Sequence, residues 1–397
     1  MRYRIETERE NLFDVNMIIS MRVRLNDQIP FDPLKNAFHK TTDLYEILNS
    51  KVVIEDNGDA YYVDCDHPKS GFYRSELSFT ELINANEKIR FKIEEGEYIR
   101  GYLASDGLVF LMHHLGGDGK SLLFFIESFL SVLEGSVPEK VPFGRLSVSD
   151  LPEESNLPFL YRLFVMTWNR KWAKQRKAFS FQDMDRAYDE FWKDHETETV
   201  LDVYEKSELE KMLSNCKEDG CSLTSYLISE FISDMPFKAD VGLAVDGRLD
   251  DNRLMGNYAT GIHVKYRYDS GRSTGENARL FNDIMKRKLS DMRVRYSALQ
   301  IMGRLDPTLV DALSLESAGT FHTRLTSRFA EIMNYGNKKK DLSITNLMRA
   351  DIRTRYGDIM ITDIAFVPPV VSYGKNLVGI ITVNDCMIIS RHSYKRK

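Results

Sequence analysis

Apolar and polar side chains alternate along Met17 to Leu25. Met17, Ile19, Met21, Val23 and Leu25 fall on one side, the period of a half-buried strand. The spacing then changes. Leu34, Ala37, Phe38, Thr41, Leu44, Tyr45 and Leu48 recur at three and four residues, which predicts a helix from Asp32 to Leu48, with Asp32 able to cap it and Pro33 suited to its first turn. Tyr98 to Ala104, the turn Ser105-Asp106-Gly107 and the apolar run Leu108 to Met112 predict a hairpin whose second strand is buried on both faces. From Lys120 to Glu134 a broad apolar face (Leu122, Phe125, Ile126, Phe129, Val132, Leu133) ends at Gly135, so a mostly buried helix is expected.

Past Asp150 the pattern breaks. Pro152 and Pro158 precede an aromatic and basic stretch holding Trp168, Arg170, Lys171, Trp172, Lys174, Arg176 and Lys177, and a domain boundary is placed here. Such a stretch could dock an anionic partner or a membrane surface, but a connecting helix with a solvated face is the preferred reading. Mixed α/β patterning then resumes. Helices are expected at 207–213 and 222–232, strands at 241–245 and 261–266, a long helix over about 276–296, and strands near 341–345, 358–366, 378–383 and 386–390. The partition read from this is 1–150, a linker over 151–197, and 198–397.

With 43% apolar and 28% charged residues the composition is that of an ordinary folded chain. Lys plus Arg number 54 against 59 acids, so no global positive charge favours nucleic acid. Four cysteines with no C-x-x-C pair argue against a disulfide framework or a zinc ribbon; Cys216 and Cys221 are given no role. The first residues lack the apolar core of a secretory leader, and no run of 18 apolar residues occurs. A cytoplasmic chain without a membrane span is expected.

One segment is dense in reactive groups: His113-His114-Leu115-Gly116-Gly117-Asp118-Gly119-Lys120-Ser121. As a phosphate loop it fails, because His114 stands where the first glycine is needed. As a carrier attachment site it lacks the serine, whose place Gly119 takes. As a metal site it asks adjacent histidines on a strand, which point to opposite faces, to share one ion; no metal is expected. The fourth reading is the full pattern H-H-x-x-x-D-G. A histidine at the end of a buried strand, flanked by glycines, has room for substrate and a pKa suited to general-base work, while His113 turns the other way. Asp118 is placed to cap the next helix or to pair with a cation.

That pattern resembles the active-site motif of the condensation-domain and chloramphenicol-acetyltransferase-like acyltransferases. Val245-Asp246-Gly247-Arg248 and Met255-Gly256-Asn257-Tyr258 are similar to the family's later strand and its Gly-x-aromatic element, and Ser343-Ile344-Thr345-Asn346-Leu347 to its Ser/Asn-Leu segment. The resemblance implies two chloramphenicol-acetyltransferase-like αβα halves forming a monomeric pseudo-dimer around an active-site tunnel. It implies a His114 base acting through Nε2, an Asp118 pointing away to pair with Arg248, and a Gly119 that leaves room for the acyl group or pantetheine arm. The Gly119 amide, Ser343 and Asn346 are candidate oxyanion donors, with strand-end capping the alternative for the last two. Lys338, Lys339 and Lys340 are candidates for coenzyme A phosphates against a solvated loop. Thr260 stands where many condensation domains have asparagine, and Ser372-Tyr373-Gly374-Lys375 replaces the Asp-Phe-Gly-Trp-Gly of plant members. The expected activity is transfer of an acyl group from a thioester, acyl-coenzyme A first, to a small hydroxyl or amine acceptor. The alternatives are a stand-alone condensation enzyme using an acyl carrier protein's phosphopantetheine thioester, and a non-catalytic relative that binds a thioester or a partner.

Overall fold

The computed structural model describes residues 1–335 and 340–395. Fifteen strands form three sheets among these residues. A small antiparallel one joins β1 (Arg2–Arg4), β3 (Ser50–Ile54) and β4 (Ala60–Asp64). The first large sheet contains β2 (Ile18–Leu25), β5 (Gly71–Arg74), β6 (Ile99–Ala104), β7 (Gly107–His113), β12 (Arg355–Tyr356) and β13 (Ile359–Val367), in the order β12-β13-β2-β7-β6-β5. The second contains β8 (Thr197–Tyr204), β9 (Ala239–Asp246), β10 (Ala259–Tyr266), β11 (Leu342–Arg349), β14 (Asn376–Val383) and β15 (Cys386–Tyr394), in the order β10-β9-β11-β14-β15-β8. The helices are α1 (Phe31–Thr42), α2 (Phe79–Glu87), α3 (Gly119–Glu134), α4 (Phe159–Ala173), α5 (Phe181–Asp194), α6 (Lys206–Asp219), α7 (Leu223–Ile232), α8 (Thr274–Ser290), α9 (Met292–Arg295), α10 (Ser297–Met302), α11 (Pro307–Ser317) and α12 (Arg324–Met333).

The hairpin β6–β7 is present and antiparallel, and β7 is buried from Leu108 to His113, as its unbroken apolar run requires. It lies between β2 and β6 in the middle of the sheet. Helix α1 is shorter than its apolar spacing predicts. The Thr41 and Thr42 hydroxyls turn back to the carbonyls of Ala37 and His39, and the Asn49 amide takes the Thr42 and Tyr45 carbonyls, so a 3-10 turn (Glu46–Asn49) replaces the last helical turn. Asp32 sits inside the first turn, Pro30 being the cap residue. The long helix expected over 276–296 breaks at Asp291, whose side chain caps α9 by accepting from the Arg293 amide.

The chain does not divide cleanly at residue 197. Strand β13 leaves the second sheet's part of the sequence and pairs with β2 along Ile361–Val367, covering an edge that β2 would otherwise present unpaired. Leu309, Val310, Leu313, Leu315 and Phe329 of α11 and α12 also enter the first core. The second sheet is buried on both faces. Val378, Ile380, Met387 and Ile389 meet the core under α7 and α8, while the alternate residues Ile381, Val383 and Ile388 join the core of the first half. Two helix-backed sheets thus meet face to face through β13, β14 and β15, the arrangement of two αβα halves. Among the described residues no helix is long and apolar enough to cross a membrane.

Candidate active site

Strand β7 ends at His113, and the loop after it is pinned on all sides. The His114 amide donates to the Met17 carbonyl at 2.8 Å, the Gly116 amide to the His113 carbonyl at 2.7 Å, and Tyr62 Oη to the Leu115 carbonyl at 3.1 Å. Adjacent residues on a strand face opposite ways, and the two histidines do so. His113 is fully buried beside the Phe91 ring. Its Nδ1 accepts from the Leu115 amide at 3.2 Å, and burial, with the charges of His114, Arg90 and Arg100, pushes its pKa down to about 3. It is a neutral fixture of the loop.

His114 is only half-buried. Its Nδ1 is enclosed with no hydrogen-bond partner from another residue, and Nε2 is not among the enclosed, unpartnered atoms. Burial lowers its pKa below the ordinary imidazole value, outweighing the opposing pull of the Asp118 carboxylate and of its own carbonyl. At neutral pH the ring is therefore a free base.

The Asp118 carboxylate is taken up by other partners and closes a junction between the halves. As the cap residue of α3 it accepts from the Ser121 amide at 2.8 Å. It receives Arg248 through two guanidinium nitrogens, at 2.8 and 3.2 Å, and the Tyr258 amide at 3.1 Å. Arg248 also reaches Asp246 at 3.1 Å, Ser121 Oγ at 3.0 Å and the face of Tyr258. Ser121 Oγ in turn donates to the Gly256 carbonyl at 2.8 Å. Bidentate geometry and near-complete burial of both side chains make this a directional, unscreened pair.

Gly119 opens α3 on the same junction. A Cβ there would stand 3.1 Å from Leu347 and 3.4 Å from Phe366, so β11 and β13 bring apolar side chains to it. Ser343 and Leu347 lie on the β11 side that faces away from the core of Leu342 and Ile344. Asn346 is engaged within its own half: its amide donates to Thr224 Oγ1 at 2.8 Å and its oxygen accepts from the Met348 amide at 2.7 Å, where Met348 has a φ of 61°. That is the capping geometry. Of the three lysines, Lys338 and Lys339 lie outside the described residues. Lys340 is not a freely solvated side chain, since its stem covers Gly242 and burial lowers its pKa against the charges of Asp240 and Glu10. Two cavities, of about 260 and 470 Å³, are lined by other residues than these.

No model of a protein family matches this chain, and neither does any curated protein sequence. Solved structures do. A trichothecene 15-O-acetyltransferase from Fusarium sporotrichioides superposes with a TM-score of 0.65 at 9% identity, covering 100% of this chain and 91% of its own. The first condensation domain of a calcium-dependent antibiotic synthetase, in complex with a substrate analogue, gives 0.64 at 12% identity over 99% and 91%. The starter condensation domain of rhizomide synthetase, a variant in complex with C8-CoA and Leu-SNAC, gives 0.61 at 12% identity over 99% and 88%. The chain has the condensation-domain fold.

Within that condensation-domain, chloramphenicol-acetyltransferase-like fold, His113, His114, Asp118 and Gly119 fall on one loop, and Arg248 comes to it from the other half. Sequence reasoning missed the partners that make the latch: Ser121, Gly256 and the Tyr258 amide. Ser121, three residues after the cap, was the available signal. The contact of Leu347 and Phe366 with Gly119 had none, because it joins positions more than 200 residues apart. Among the described residues no cluster of three or more His, Cys, Asp or Glu could hold a metal ion.

Proposed function

We propose that this chain is an acyltransferase that moves an acyl group from a thioester to a hydroxyl or amine, with His114 as the general base. The observation that carries the reading is the state of that imidazole: neutral, half-buried and enclosed at Nδ1, on the loop that Arg248 of the other half holds through Asp118. The solved relatives support the class of chemistry, since one is an acetyltransferase and another holds an acyl-coenzyme A and an aminoacyl thioester.

In the proposed step Nε2 takes the proton from the acceptor as its oxygen or nitrogen bonds to the thioester carbonyl carbon. The carbonyl oxygen becomes an oxyanion; the amide of Gly119, which by its place in the first turn of α3 has no helical carbonyl partner, and the Ser343 hydroxyl are its candidate donors. Collapse breaks the carbon–sulfur bond, and the imidazolium returns its proton to the departing thiolate. Asp118 and Arg248 hold the loop in place and touch neither reactant.

The donor is proposed to be acyl-coenzyme A, with a carrier-bound pantetheine thioester as the second reading that the condensation-domain relatives favour. The test is thiol release from a panel of acyl-coenzyme A and acyl-pantetheine donors, with pooled alcohols and amines added or omitted. Acceptor-dependent release from the coenzyme A esters supports the proposal. Release from pantetheine esters alone favours the second reading, and release from neither overturns both.

A further inference from the structure

Helix α4 is anchored from Phe164 onward. Val165, Trp168 and Trp172 are buried, and Trp168 packs on Phe329 of α12 with 4.7 Å between ring centroids. Residues 158–163 are exposed without exception, so the first turn and a half stands clear of the body. At 3.6 residues per turn, Phe159, Leu163 and Met166 share the side opposite Trp168 and Trp172. With Leu160 and Tyr161 they are between 48% and 73% exposed. A solvated connecting helix does not put four large apolar side chains on its free end and a fifth, Met166, on the same outward side.

A second, independent feature lies beside it. Lys171, Lys174, Arg324 and Arg328 border, with Trp168 and Leu325, the surface cavity of about 470 Å³. Arg162 and Arg170 are exposed on the same helix. The ion pairs of the described residues involve none of these six cations; Glu331 is the acid on the outer face of α12.

We infer that α4 docks this protein on a membrane surface bearing anionic phospholipids, with Phe159, Leu163 and Met166 entering the headgroup–acyl boundary and Lys171, Lys174, Arg324 and Arg328 meeting phosphates. A protruding apolar stripe beside cations that take part in no ion pair among the described residues, Lys171 lying on the Trp168 face, is what an anionic bilayer accepts all at once. Phe159, Leu163 and Met166 are exposed and do not line the neighbouring cavity. This inference is independent of the acyl-transfer reading.

The test is flotation of the full chain with phosphatidylcholine vesicles, with and without phosphatidylglycerol. Binding is expected with the anionic vesicles, falling as salt rises. Lys171→Glu with Arg328→Glu lowers the partition roughly 30-fold or more, two cations being removed from the surface. Phe159→Ser with Leu163→Ser lowers it comparably, while melting and thioester turnover stay unchanged because these side chains are exposed and lie outside the loop that carries His114. No flotation by the folded chain overturns the inference, as does binding that ignores the apolar replacements. A dimer in sedimentation velocity that Leu163→Ser disperses, without flotation, would instead make the face a contact between two copies.

Discussion

Replacing Arg248 with methionine probes the latch between the two halves. Both Arg248 and Asp118 are almost wholly buried, so the substitution leaves a carboxylate without its cation where water cannot replace it. Breaking one side of a buried pair costs about 3–5 kcal/mol, and the Ser121 and Tyr258 amides that Asp118 still accepts place this case near the lower figure. Asp118→Asn is milder. The asparagine oxygen can keep the α3 cap, Arg248 keeps Asp246 at 3.1 Å, and the loss is that of charge-assisted hydrogen bonds, about 2 kcal/mol. The double variant removes the charge and its partner together, so it should fall short of the summed cost by about 2 kcal/mol. Urea unfolding followed by fluorescence of Trp168, Trp172 and Trp192 measures all three. Thioester turnover well below each unfolding midpoint should drop less than tenfold. Unchanged stability together with turnover lowered a hundredfold would refute the reasoning and place Arg248 at the reacting centre.

Two further outcomes follow from the buried acids and bases. Because burial lowers the His114 pKa and the neutral ring is the active form, kcat/KM should be level at neutral pH and fall only as pH drops below about 6.5; a midpoint above 6.5 would mean that the Asp118 charge dominates. Glu8 is raised by burial to about 7 from an ordinary 4.5, against the Thr7 hydroxyl bond. Its contribution is complete below pH 4.5 and lost as pH rises through 7, so Glu8→Gln should gain up to about 3 kcal/mol over the native chain at pH 8 and nothing below pH 4.5. Equal melting at both pH values would show that the site is wetter than its burial indicates.

The β6–β7 hairpin, the two-histidine loop and α3 were legible because their signals are local: an apolar run, a turn tripeptide, a cap and a glycine stop. The Asp118–Arg248 pair came from likeness to a family, since nothing in the spacing of residues 130 apart ties them. Helix α11 escaped because Thr308 to Leu315 are buried all round, which erases the 3.6-residue period, although Asp306 and Pro307 mark its start. Strand β8 escaped for the opposite reason. It is an edge strand with Val200 and Val203 exposed, so its alternation carries no inward face. The crossing of β13 into the first sheet is a non-local pairing that only the assembled core dictates. In α4 the tryptophans and cations stand out in the sequence, whereas the outward stripe of Phe159, Leu163 and Met166 depends on which side the body covers.

In the proposed chemistry one uncharged imidazole, that of His114, deprotonates the acceptor. Single-turnover thiol release from an active acyl thioester, with native protein and with His114→Ala at saturating acceptor, tests it directly. The variant's rate should be lower by about two to four orders of magnitude, with melting essentially unchanged. Equal rates in the two proteins would contradict it.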